Sequence, residues 1–185
     1  MKSQKIKLTE GIDRDFFNLL FNLYYPMLSK GHLKDRFQYT IKSDKRLFPI
    51  GFISVTKKGN SFMQFALIPE VRGQGIAIEA LKQILKYTKT DKLGWSCNKA
   101  NYPSLKFLSN LEGGIFEGYG KVSGKNYEGF CRPGKKITNK KMSKALMEAL
   151  PKCKEKYSEW LKKDYLIRKK ELKDLNTYLS SFNKK

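Results

Sequence analysis

With 185 residues, the chain is long enough for one domain of ordinary size and an appendage, and too short for a multidomain assembly. It carries 38 Lys and Arg against 17 Asp and Glu, a formal charge of +21, yet 40% of its residues are hydrophobic and 13% aromatic, too many for a disordered polybasic tail. No stretch approaches the roughly 18 consecutive apolar residues of a membrane-spanning helix, and Met1-Lys2-Ser3-Gln4-Lys5-Ile6-Lys7 lacks the apolar core of a signal peptide. The expectation is a folded, basic, cytoplasmic protein with no membrane partner. Cys97, Cys131 and Cys153 are too widely spaced for a paired zinc motif, and His32 is the single imidazole, so no metal centre is expected. Ser-His-Asp chemistry would run entirely through His32, in a polar stretch that reads as solvated surface.

In chain order, residues 5–8 alternate polar and apolar as a short strand, broken at Thr9-Glu10-Gly11. Asp13 stands as an N-cap before Phe16, Phe17, Leu19, Leu20 and Leu23, the apolar face of a helix that Pro26 ends. A second short helix is expected over residues 27–36. Phe37, Tyr39 and Ile41 then alternate with polar neighbours, and residues 48–56 and 61–68 form two further strand-like runs. Turn residues separate them at Ser43-Asp44-Lys45-Arg46 and Lys57-Lys58-Gly59-Asn60, so the three runs predict an antiparallel meander.

After Pro69, Arg72-Gly73-Gln74-Gly75 opens a helix with Ile76, Ala80, Leu81, Ile84 and Leu85 at helical spacing. Residues 93–97 read as a buried strand. Asn101-Tyr102-Pro103-Ser104 starts another helix through Leu105, Leu108 and Leu111, ended at Gly113-Gly114. Residues 115–122 and 126–131 pair as strands about Ser123-Gly124-Lys125. The order β, α, α, β, β, β, α, β, α, β, β predicts a mixed α/β (α+β) sheet with helical crossovers.

Composition shifts beyond Arg132-Pro133-Gly134. From Lys135 onward, 16 Lys and Arg face 6 Asp and Glu, a denser positive charge than in the preceding part. Tyr157, Leu161, Tyr165, Leu172, Leu175, Leu179 and Phe182 recur at threes and fours, broken by Arg168, which predicts a long amphipathic helix beginning near Pro151. The expected division is a domain over residues 1–134 and a basic helical extension over residues 135–185.

A strand ending at Leu67-Ile68-Pro69, a glycine-rich turn and a helix form the arrangement that points backbone N–H groups at phosphate. Gly73 and Gly75 permit close backbone approach, and the helix N-terminus favours a pyrophosphate over a lone carboxylate. No Gly-Lys-Ser/Thr follows, so this is not a Walker A loop, and the third glycine of G-x-G-x-x-G is missing. A tight strand-to-helix connection without a ligand is the plainer alternative.

The run Phe65-Ala66-Leu67-Ile68-Pro69-Glu70-Val71-Arg72-Gly73-Gln74-Gly75-Ile76-Ala77 resembles the Q/R-x-x-G-x-G/A signature of the GNAT superfamily of acyl-CoA-dependent N-acyltransferases, with Arg72, Gly75 and Ala77 in its three defined places. Asn101-x-x-Ser104 is similar to that family's Asn-x-x-Ala/Ser, and Gly113-Gly114 to a glycine pair some members place at this helix end. The resemblance runs from the first strand to about Cys131. It implies a GNAT-type, mostly antiparallel sheet with a splayed strand pair and flanking helices, and acetyl-CoA or another acyl-CoA as co-substrate. It further implies that Arg72, Gly73, Gln74, Gly75, Ile76 and Ala77 hold the diphosphate. Leu67 and Ile68 would present backbone groups to the pantetheine arm, and Asn101 and Ser104 would lie near the thiol. The implied chemistry is direct attack of an amine on the thioester, which needs a proton acceptor and an oxyanion donor.

The chain departs from the fuller family pattern at two places. Phe62 stands where many members carry a glutamate base, with Ser61 and Gln64 nearby, and Leu108 stands where many carry a tyrosine acid. Tyr119, Glu117 and Tyr102 are the candidate catalytic residues in their place, with Glu112 a further replacement; each also has a structural reading. Cys97 reads as a buried, inert thiol in preference to a nucleophile.

A surplus of 21 positive charges repels cationic substrates and concentrates acidic ones, so nucleic acid is the favoured partner beside acyl-CoA. Lysines interleave with Tyr157, Trp160 and Tyr165, as phosphate contact with stacking requires. The same aromatics could instead cover the core, or the tail helix could pair with a second copy in a homodimer. An acyl-CoA-dependent N-acyltransferase acting on an amine on or near a nucleic acid is the first expectation. A GNAT-fold nucleic-acid-binding protein without catalysis is the alternative.

Overall fold

The computed structural model describes residues 5–24, 36–57, 61–90, 93–98, 100–109, 114–119, 126–131 and 140–184. Among them β1 (Ile6–Glu10), α1 (Arg14–Tyr24), β2 (Arg36–Ser43), β3 (Gly51–Thr56) and β4 (Ser61–Leu67) are followed by α2 (Ile76–Thr88). Then come β5 (Leu93–Asn98), α3 (Tyr102–Ser109), β6 (Gly114–Tyr119), β7 (Asn126–Cys131), α4 (Lys140–Lys163) and α5 (Tyr165–Ser181). The helix expected over residues 27–36 lies outside the described residues except at Arg36, which opens β2. His32, Glu112, Gly113 and the turn at residues 123–125 also lie outside them.

The seven strands form one sheet in the order β1-β2-β3-β4-β5-β7-β6. Every neighbouring pair is antiparallel except β4 with β5. The meander of β2, β3 and β4 is the one the turn residues predict. β3 starts at Gly51, later than the apolar run, because Pro49 has no N–H for the ladder; Ile50 still donates to the Ile41 carbonyl at 2.8 Å. Phe52, Ile53, Ser54 and Val55 are all buried, as in a central strand covered on both faces.

Helix starts follow their capping chemistry. Asp13 Oδ1 accepts the Phe16 N–H at 3.0 Å, satisfying an orphan donor of α1, and Phe16, Leu20, Phe21 and Leu23 fall on its buried face. Asn101 Oδ1 does the same for the Ser104 N–H of α3 at 3.3 Å. Gln83 fastens α2 to β1, accepting from the Leu8 N–H at 3.3 Å and donating to the Ile6 carbonyl at 3.0 Å.

The C-terminal region differs from the single helix expected to begin near Pro151. α4 begins at Lys140 and carries Pro151 inside it, and a second helix follows a break at Asp164. Burial of Ala149 and Cys153 on either side of the proline anchors α4 through the position where a donor is missing. At the break, Arg168 donates to the Trp160 carbonyl at 3.1 Å, which also accepts the Asp164 N–H at 3.2 Å, and to the Leu161 carbonyl, so its guanidinium supplies donors to the last turn of α4. Leu175 and Leu179 of α5 are buried, and the apolar core runs continuously from the sheet into both helices.

Candidate active site

β4 and β5 pair only at their beginnings, Ser61 with Gly94 and Phe62 with Trp95. Beyond these residues the two strands are no longer hydrogen-bonded neighbours. The β3–β4 ladder also shifts register between Ser54 and Val55, a bulge that bends β4. A cavity of ≈ 860 Å³ lies at the C-terminal end of β4, bounded by Phe65, Ala66 and Leu67, the start of α2, the start of α3, and α4. That size is typical of a pocket for a small organic ligand.

The start of α2 is built for an anion. Gly73 and Gly75 have φ of +73° and +77°, and Gly75 is the N-cap, with no side chain capping the first turn. A Cβ added at either glycine would meet nothing within 4 Å, so the backbone there faces open space. Arg72, Gly73, Gly75, Ile76 and Ala77 line the cavity. The unsatisfied N–H groups and the positive end of the helix dipole therefore open directly into it.

Tyr24, at the end of α1, stands at the strand side of the cavity. Its hydroxyl donates to the Leu67 carbonyl at 3.0 Å, and the Arg72 guanidinium carbon lies 4.4 Å from its ring centroid. Burial pushes the Tyr24 hydroxyl up to about 12; Arg72 opposes the rise, and Glu70 and Tyr157 add to it. At neutral pH this hydroxyl keeps its proton and donates it in the hydrogen bond to Leu67.

The acetyltransferase (GNAT) domain family matches residues 13–112. The chain belongs to the GNAT acetyltransferase family. It is an enzyme of that type, and GNAT enzymes use acetyl-CoA or another acyl-CoA as co-substrate. A comparison with curated protein sequences gives no match. Among solved structures, a domain from Methanocaldococcus jannaschii is similar with a TM-score of 0.54 and 14% identity, covering 69% of this chain and 97% of that one. A chimera of the Vibrio cholerae spermidine N-acetyltransferase with hSSAT gives a TM-score of 0.50 at 12% identity, covering 69% and 95%. The spermidine N-acetyltransferase from Vibrio cholerae, in complex with CoA and spermine, gives 0.49 at 15% identity, covering 73% and 98%.

The residues present fit the diphosphate of CoA: an uncapped helix N-terminus, two glycines whose missing side chains leave room, and Arg72 beside them. Of the residues assigned to CoA from the family signature, Leu67, Arg72, Gly73, Gly75, Ile76, Ala77, Asn101 and Ser104 line the cavity. Ile68 and Gln74 are placed differently. Ile68 is fully buried with its N–H donated to the Ile50 carbonyl at 3.0 Å, and Gln74 turns its amide to the Glu70 carbonyl at 2.9 Å. The Asn101 side chain is engaged as the cap of α3.

Tyr102 lines the cavity, whereas Glu117 and Tyr119 lie on β6, the edge strand, with β7 between it and β5. Their side chains are outside the described residues. Gln64 is buried and accepts from the Ser54 hydroxyl at 3.3 Å, away from the cavity wall. Cys97 is buried, and desolvation pushes its thiol far above the ordinary range, which suits an inert group. Sequence reasoning missed Tyr24, Tyr157 and Trp160 as parts of the site. Tyr24 looked like the end of an amphipathic helix, and the other two read as aromatics for nucleic-acid contact or core cover on the tail.

Proposed function

We propose that this chain transfers an acetyl or related acyl group from acyl-CoA to an amine carried on or near a nucleic acid. The observation that carries the acyl-CoA part is the uncapped start of α2 opening, through two positive-φ glycines, into the cavity where β4 and β5 part. Acyl-CoA supplies the activated thioester carbonyl. The α2 amides and Arg72 hold its anionic end, which fixes the thioester near the strand ends and turns a bimolecular encounter into a positioned one. The amine nitrogen forms its bond to the carbonyl carbon as the C–S bond breaks; one proton leaves the nitrogen and one reaches the sulfur. Tyr102 is assigned to that second proton because it lines the cavity at the start of α3. Glu117 and Tyr119 complete the candidate acid–base set.

The acceptor class rests on charge. Two of the similar structures are named for spermidine acetylation, but a chain with 21 surplus positive charges repels a polyamine. Lys152, Lys154, Lys156, Lys162, Lys163, Lys169, Lys170 and Lys173 are all exposed on α4 and α5, and exposed cations in this number suit a phosphate backbone. Acetyl-CoA should raise the melting temperature, and duplex or single-stranded nucleic acid should bind with an affinity that falls steeply as salt rises. No thermal shift removes the acyl-CoA assignment. A flat salt response removes the nucleic-acid one.

A further inference from the structure

The family-matched segment ends at residue 112, yet the cavity does not close without residues from far beyond it. Tyr157 and Trp160 of α4 line it, together with Tyr24 and Tyr102. The Tyr157 ring is 6.5 Å from Tyr102 and 5.4 Å from Trp160, centroid to centroid, so the aromatics form one connected wall from the start of α3 onto α4. That wall is held in place. The Arg168 guanidinium carbon lies 4.5 Å from the Trp160 ring centroid, and the same group caps the Trp160 and Leu161 carbonyls.

We propose that α4 supplies part of the acyl-CoA site, with Tyr157 and Trp160 forming the surface along which the pantetheine arm lies. This rests on the acyl-CoA assignment made above. Two observations select the arm over the nucleotide. The anion-holding amides are at the start of α2, so the phosphates take that end of the cavity. The aromatic wall meets Tyr102 at the start of α3, beside Asn101 and Ser104, the residues the family resemblance sets near the thiol. The chemistry agrees: the arm is a neutral chain of methylenes and amides, and aromatic rings offer it apolar area where a phosphate would require cations. Arg168 acts as a positioning residue, since it touches Trp160 and not the cavity.

The full chain carries two tryptophans, Trp95 and Trp160, and this permits a test that does not depend on turnover. CoA should change the indole emission of the wild-type chain, and Trp160→Phe should abolish that change while CoA still raises the melting temperature. By calorimetry, Tyr157→Ala and Trp160→Ala should each weaken CoA by about tenfold and leave adenosine 3′,5′-bisphosphate, which lacks the arm, unaffected. The inference is overturned if Trp160→Phe keeps the full emission change, if both alanine variants bind CoA as the wild type does, or if they lose CoA and the bisphosphate in parallel. Absence of any CoA binding by the wild-type chain would instead bring down the acyl-CoA assignment beneath it.

Discussion

The hydroxyl of Tyr178 donates to Asp13 Oδ2 at 2.6 Å, joining two residues 165 positions apart. Asp13 Oδ1 at the same time caps α1 through the Phe16 N–H, and the Tyr178 ring lies 6.2 Å from that of Phe16. One carboxylate thus starts the first helix and holds the last one against it. Tyr178→Phe removes a single hydrogen bond to a partly solvated carboxylate and should cost about 1 kcal/mol. Asp13→Ala removes the cap as well and should cost about 2 kcal/mol. Urea unfolding of the two variants checks both values, and equal losses would mean that the cap contributes nothing.

Leu175 is fully buried in the core that the sheet and α5 share. Leu175→Ala should destabilise the whole chain by about 3 kcal/mol, with one cooperative transition seen by both far-UV circular dichroism and tryptophan emission. Two separate transitions would show that the C-terminal helices unfold on their own.

Gly75 tests the anion cradle. Gly75→Ala has room for its methyl group but must hold φ near +77°, so it should lose about 1 kcal/mol of stability and keep acetyl-CoA binding. Gly75→Glu places a carboxylate where a phosphate would sit and should abolish the thermal shift by acetyl-CoA. A Glu variant stabilised by acetyl-CoA as the wild type is would move the diphosphate elsewhere.

Burial raises the Tyr24 pKa from 10.0 to about 12, so the folded chain holds this proton more tightly than the unfolded chain does. The stabilisation is complete below pH 10 and is lost as pH rises through 12. Tyr178 and Tyr39 are also raised and contribute to the same alkaline loss. Tyr24→Phe should therefore flatten part of the fall in stability over this window, measured by urea unfolding at stepped pH. An unchanged slope would show that Tyr24 is not shielded from water.

What could be read from the chain alone was what neighbouring residues settle among themselves. Asp13 and Asn101 announce helix starts because a short polar side chain reaches its own backbone a few residues on. Gly73 and Gly75 announce the tight turn into α2 because positive φ is a property of the residue itself. The alternation in β2 likewise needs no knowledge of the partner strand. Three-dimensional packing decided the rest. Pro151 reads as a helix start, but the buried residues on both sides carry α4 across it. Tyr157 and Trp160 show the same spacing whether they cover a core, contact a nucleic acid or wall a cavity, because periodicity gives the face of a helix and not what that face meets. Only the return of α4 to α3 settles it, through contacts between residues more than fifty positions apart in the chain.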